Sequence, residues 1–161
     1  MAQTLTYTYL NPSLLHEQDG SLGLALATSG GSTPEGAAAH PYFFSGFMEH
    51  PDVIAASLLV VARVARTRYY TPPGMVAAIL RAADPVVTST REGLRFESFS
   101  ACCGVYARLD VDSSALDATH SAVGVTNVDV NPPLRTALAS LRAGEPLHMD
   151  VGNEGLVMRG C

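Results

Sequence analysis

The 161-residue chain contains no lysine and no tryptophan, only three cysteines, and no long apolar run. All ten of its cations are arginine, set against 15 carboxylates for a formal net charge of −5. That balance gives no general attraction to phosphate backbones, which takes several clustered cations. Nucleic acid is therefore disfavoured as a partner of the whole surface, although a local arginine patch stays open. Cys102, Cys103 and Cys161 make an odd count with one vicinal pair. This is not a disulfide framework of the secreted kind, and reduced thiols are expected. The longest apolar stretch, residues 53–62, is broken by Ser57 and falls well short of the ~20 residues that span a bilayer. The first ten residues show neither a cationic start nor an apolar signal segment, so the expectation is a cytoplasmic chain with no membrane partner.

What is present is apolar substance: 47% of residues are hydrophobic and 16% charged. A chain of this length can bury roughly 70% of its unfolded surface in one core, which predicts a single domain over residues 1–161. Period-two alternation over residues 4–10 and 21–28, around a turn ending in Asp19-Gly20, predicts a first β-hairpin. The breaker cluster of residues 29–36 reads as an exposed loop. Pro51 suits a first helical position and Asp52 the positive end of its dipole. From there Ile54, Leu58, Val61 and Val64 recur at helical spacing to about Tyr69, predicting the most buried helix. A second helix is expected over residues 75–83, ended by Asp84-Pro85.

Alternation returns over residues 94–98 and 105–111, around the turn at 100–104, and again over 123–130. Asn131 and Pro132 read as the N-cap and first position of a third helix with Leu134, Leu138 and Leu141 on one side. A last hairpin is expected between 147–151 and 156–158. Strands in clusters with about three helices between them predict an α+β domain with a mainly antiparallel sheet.

Several stretches carry a family likeness: His40-Pro-Tyr-Phe-Phe-Ser-Gly-Phe, Ala62-Arg-Val-Ala-Arg-Thr-Arg-Tyr-Tyr, Ala83-Asp-Pro-Val-Val-Thr and Thr126-Asn-Val-Asp-Val-Asn. The most specific is Leu94-Arg-Phe-Glu-Ser-Phe-Ser-Ala-Cys-Cys-Gly-Val-Tyr-Ala-Arg-Leu-Asp110. Over most of residues 5–157 the chain resembles the N-terminal region of bacterial SWIM zinc finger family proteins. The resemblance implies a domain of a longer protein whose zinc module, C-x-C followed by C-x-H, binds DNA or protein partners. This chain carries neither half of that motif. Two vicinal thiolates cannot close a tetrahedral site alone, so zinc would need ligands from outside the chain.

Three groups of residues could carry function. Side-chain alternation places Arg95, Glu97, Tyr106, Arg108 and Asp110 on one face of the second hairpin, where arginine and tyrosine suit recognition. The bland alternative is a cross-strand ion-pair ladder on a solvated sheet. Arg63, Arg66 and Arg68 form a cation cluster able to hold a phosphate or a carboxylate-bearing partner, unless they are only the polar edge of a buried helix. Cys102 and Cys103 could serve as nucleophile or soft-metal ligand, or simply fill a tight turn. Asn127, Asp129 and Asn131 alternate on one side of a strand, but no calcium-loop motif surrounds them. His16, His40, His50, His120 and His148 show no helical metal spacing. The leading expectation is a non-enzymatic interaction or scaffold domain that binds a protein partner through an Arg/Tyr surface, with no cofactor. The competing one is a thiol-dependent enzyme or metal-binding protein using Cys102 and Cys103.

Overall fold

The computed structural model describes residues 9, 11–18, 20–67, 74–75, 84–101 and 104–152. Its first pairing is set by a two-residue turn. β1 (Leu14–Gln18) and β2 (Ser21–Leu26) run antiparallel from Gln18↔Ser21 to Leu14↔Ala25. Gly20, at φ 78°, takes the left-handed conformation that so tight a turn requires. The expected hairpin is there, but its first strand is 14–18 rather than 4–10. A two-residue turn leaves only the immediately preceding residues in register; positions 4–8 and 10 lie outside the described residues.

The stretch expected as an open loop also differs. It forms β3 (Gly31–Thr33) and β4 (Gly36–Ala38), a short antiparallel hairpin. Glycine here serves close approach rather than disorder, since a Cβ on Gly31 would stand 2.5 Å from the Val125 carbonyl oxygen. The chain continues through β5 (Phe44–Met48), helix α1 (Pro51–Arg66), β6 (Val86–Thr90), β7 (Gly93–Phe99) and β8 (Tyr106–Asp112). A 3-10 turn at Ser113–Ala115 leads to β9 (Leu116–Ser121), β10 (Gly124–Asn127), helix α2 (Pro132–Ala139) and β11 (Leu147–Val151).

These strands make a five-stranded sheet in the order β1-β2-β11-β5-β9 and a six-stranded sheet in the order β4-β3-β10-β6-β7-β8. Among the described residues only the β2–β11 pairing is parallel, so the architecture is α+β with mainly antiparallel sheets. Two helices, not three, are seen among the described residues; the helix expected over 75–83 lies outside them from residue 76 onward. β11 is flanked by β2 and β5, so both its edges are in use. Its expected hairpin partner, 156–158, is also outside the described residues.

α1 forms where the spacing requires it. Pro51 opens it after His50 at φ 54°, and Ile54, Leu58, Val61, Ala62 and Ala65 are buried. It ends at Arg66, three residues before the expected end. One apolar cluster draws on both sheets and both helices, with Leu24, Phe44 and Met149 meeting Leu58, Val87, Phe96 and Leu134. α1 lies against β7 and β8, and Ser98 Oγ donates a buried hydrogen bond of 2.6 Å to the Val61 carbonyl. Among the described residues, no helix is long and apolar enough to cross a membrane.

Candidate interaction surface

β7 and β8 hold seven residues each and pair without interruption from Gly93↔Asp112 to Phe99↔Tyr106. Strand alternation sends Leu94, Phe96 and Ser98 inward, where all three are buried, and turns Arg95, Glu97 and Phe99 outward. Their cross-strand partners Asp110, Arg108 and Tyr106 share that outer face. Asp110 receives two guanidinium contacts, from Arg95 Nε at 2.7 Å and Arg108 Nε at 2.9 Å. The Arg95 hydrogen bond, with the charge of Arg108 beside it, holds the Asp110 carboxyl below its ordinary range. Tyr106 donates its hydroxyl to Glu97 Oε2 at 2.5 Å, which pushes the phenol up.

At the end of the hairpin the Phe99 and Tyr106 rings lie 4.8 Å apart, 61% and 46% exposed. By register the outer row continues from Asp110 and Arg95 through Thr88 and Val125 to Ser32.

The arginines of α1 do not join this surface. The helix covers the inner face of β7 and β8, so Arg63 and Arg66 stand on the far side of the sheet from Arg95 and Arg108. Arg68 lies outside the described residues. Arg63 and Arg66, in the last turn of α1, instead approach Arg135 of α2, whose guanidinium is lowered by burial first and then by Arg66. Asp84 belongs to the same group. Burial raises its carboxyl, and the Tyr9 hydroxyl, donating to Oδ2 at 2.9 Å, partly offsets that rise. Arg66 Nε is buried without a hydrogen-bond partner among the described residues. Three arginines, Arg63, Arg66 and Arg135, thus stand against two carboxylates, Asp84 and Asp129, in a polar seam where the two helices meet.

The row Asn127, Asp129, Asn131 is likewise occupied by structural bonds. Asn127 Nδ2 donates to the Asp84 carbonyl at 3.3 Å. Asp129 Oδ2 accepts from the Ser13 N–H at 3.0 Å, and Asn131 Oδ1 caps α2 at the Leu134 N–H, 2.9 Å away. No group of three or more His, Cys, Asp or Glu able to hold a metal is found among the described residues. Cys102 and Cys103 lie outside those residues.

Two histidines that precede proline take left-handed backbone conformations, His40 at φ 52° and His50, the residue before α1, at φ 54°. Sequence reasoning missed one polar array. His148 Nε2 lies 3.3 Å from Ser45 Oγ, and its Nδ1 lies 3.5 Å from Asp150 Oδ2. The His-x-Asp spacing puts both on one face of β11, but the β5–β11 register that adds Ser45 is not local information. The order matches a nucleophile, base and orienting acid. Ser45, however, is only 8% exposed and lies mid-sheet between β11 and β9, where backbone donors serve the ladders rather than an oxyanion. The array reads as a cross-strand network.

No protein-family model matches the chain, and neither a curated protein nor a solved structure shows significant similarity to it.

Proposed function

We propose that the chain is a non-enzymatic interaction domain, part of a SWIM zinc finger-like protein, that binds a protein partner through the outer face of β7 and β8. The observation that carries this reading is the open aromatic pair. Phe99 and Tyr106 leave about half their surface to solvent beside Arg95, Glu97, Arg108 and Asp110. Aromatic anchors with an arginine-bearing polar rim are the layout of binding hot spots. The segment 94–110, which carries the most specific part of the family likeness, is the segment that builds this face. Zinc in such a protein would be held by ligands outside this chain.

The test uses the full chain as bait and measures the affinity of each captured protein for three double variants. Phe99→Ala/Tyr106→Ala and Arg95→Ala/Arg108→Ala are expected to weaken binding by tenfold or more, about 1.4 kcal/mol. Arg63→Ala/Arg66→Ala, on the other side of the sheet, should leave it unchanged. Equal affinity for all three would contradict the assignment. A nucleic-acid partner would reveal itself by steep loss of binding with salt.

A further inference from the structure

We infer that β8 is the seam of a homodimer in which two copies of this chain join their six-stranded sheets edge to edge about a twofold axis at Leu109. The inference concerns the strand edge and does not rest on what occupies the outer face. β8 is the last strand of its sheet, and among the described residues no strand pairs its far side. Of the other edges, β4 has three residues, β9 meets β5 through a register shift at Ser45/Gly46, and β1 is regular but shorter, at five residues. β8 has seven residues, no proline and an unbroken register, so it lacks the shortness, proline and bulges that blunt many edges; its protection is charge alone, from Arg108, Asp110 and Asp112. Its inward-facing Ala107 and Leu109 are only half-buried, whereas their β7 partners Ser98 and Phe96 are buried. A neighbouring strand would cover the remainder.

The free backbone groups can be identified from the ends of the hairpin. The Ser100 N–H donates to the Val105 carbonyl, and the Ser113 N–H to the Glu92 carbonyl, both at 2.8 Å. Both pairs continue the β7–β8 register, and hydrogen-bonded pairs alternate along an antiparallel ladder. Val111, Leu109 and Ala107 therefore bond to β7. Among the described residues, the N–H and C=O groups of Tyr106, Arg108 and Asp110 point to the open edge together with the Asp112 N–H, while the Asp112 carbonyl opens the 3-10 turn.

A second β8 running antiparallel must pair through these same four residues. With the axis at Leu109, Arg108 faces the partner's Asp110, Asp110 faces the partner's Arg108, and Tyr106 faces the partner's Asp112. Shifting the axis to Arg108 would set that arginine against its own copy, and shifting it to Asp110 would do the same for the carboxylate. Like charges directly opposite are destabilising, so the charge pattern favours the Leu109 register over both of these, and it is the one that pairs all four residues of the edge. Strand pairing alone buries little surface, which makes the dimer reversible and dependent on concentration. It would place two outer faces on one continuous sheet, doubling the valency of the binding surface.

Sedimentation equilibrium of the full chain from about 1 μM to about 1 mM should show a mass rising from 16.9 kDa towards twice that value. Arg108→Asp and Asp110→Arg should each weaken self-association by roughly tenfold to a hundredfold, because each creates two like-charge pairs across the axis. Mixing the two variants restores opposite charges at both pairs and should recover the dimer. A second measurement does not depend on charge reversal. In a background with Cys102, Cys103 and Cys161 replaced by serine, Leu109→Cys sits at a non-hydrogen-bonded pair about 4.5 Å from its copy, within disulfide reach. Mild oxidation should cross-link it to a covalent dimer. A monomer at every concentration, a mixture no more associated than its components, or an uncross-linked Leu109→Cys would each overturn the inference.

Discussion

Replacing Asn131 with alanine removes three hydrogen bonds at once. Its Oδ1 caps α2 at the Leu134 N–H, while Nδ2 donates to the Ser13 carbonyl and to Asp129 Oδ2, all at 2.9 Å. A lost Asn cap costs about 1 kcal/mol, and the two Nδ2 bonds, one to a backbone carbonyl and one to the Asp129 carboxylate, cost together at least about 2 kcal/mol. The Ser13 bond spans 118 positions, so the side chain ties the segment entering β1 to the start of α2. The expected total is about 3 kcal/mol, or a fall in Tm of about 6–12 °C for a chain of this length. Asn131→Ser separates the contributions. It keeps the capping oxygen but cannot reproduce both amide bonds, and should cost about 2 kcal/mol. Urea unfolding with an unchanged slope is the assay. A cost below about 0.5 kcal/mol for alanine, or serine no better than alanine, would refute the reasoning.

Asp84→Asn tests the polar seam. Burial raises the folded Asp84 carboxyl above its ordinary value of 3.8, so the group favours folding while protonated, and that contribution is lost as pH rises through the folded value. The variant should unfold at higher urea than the parent at pH 7, with the gain vanishing below about pH 3.9; an equal gain at both pH values would contradict this. Gly46→Ala should destabilise by about 1–3 kcal/mol or more. Its Cβ would stand 2.4 Å from the Asp117 carbonyl oxygen and 2.7 Å from Ala118 Cα, and backbone cannot move aside like a flexible side chain. An unfolding midpoint equal to that of the parent would show that β5 and β9 do not approach so closely.

Much of the fold was legible in the sequence because its determinants were local. Pro51 and the recurrence of Ile54, Leu58 and Val61 defined α1, Asn131 marked the cap of α2 correctly, and alternation over 94–111 produced the β7–β8 hairpin. Where elements were missed, the local signal was misleading or absent. Gly30, Gly31 and Gly36 resemble loop residues, yet β3 and β4 form there because close strand approach excludes a Cβ at Gly31. β5 buries residues on both faces and β9 is exposed almost throughout, so neither shows alternation. The parallel pairing of β2 with β11 joins residues far apart in the chain, which no local pattern encodes.

The candidate surface was half legible for the same reason. Period two placed Arg95, Glu97, Tyr106, Arg108 and Asp110 together, and the register bears that out. That α1 packs on the opposite face, carrying Arg63 and Arg66 away from them, depends on tertiary packing. Phe99, the most exposed large apolar side chain among the described residues, was within reach of the same alternation argument, as the next outward position after Glu97.

The most direct measurement compares stability with binding in Phe99→Ala/Tyr106→Ala. Both rings are largely open to solvent, so their truncation should cost only about 1–2 kcal/mol of folding stability, a fraction of the value of fully buried aromatics. If they anchor a protein partner, the same change should weaken that complex by about tenfold or more. A stable double variant that has lost its partner is the predicted result. A double variant that binds the partner as tightly as the parent would contradict the assignment of this face.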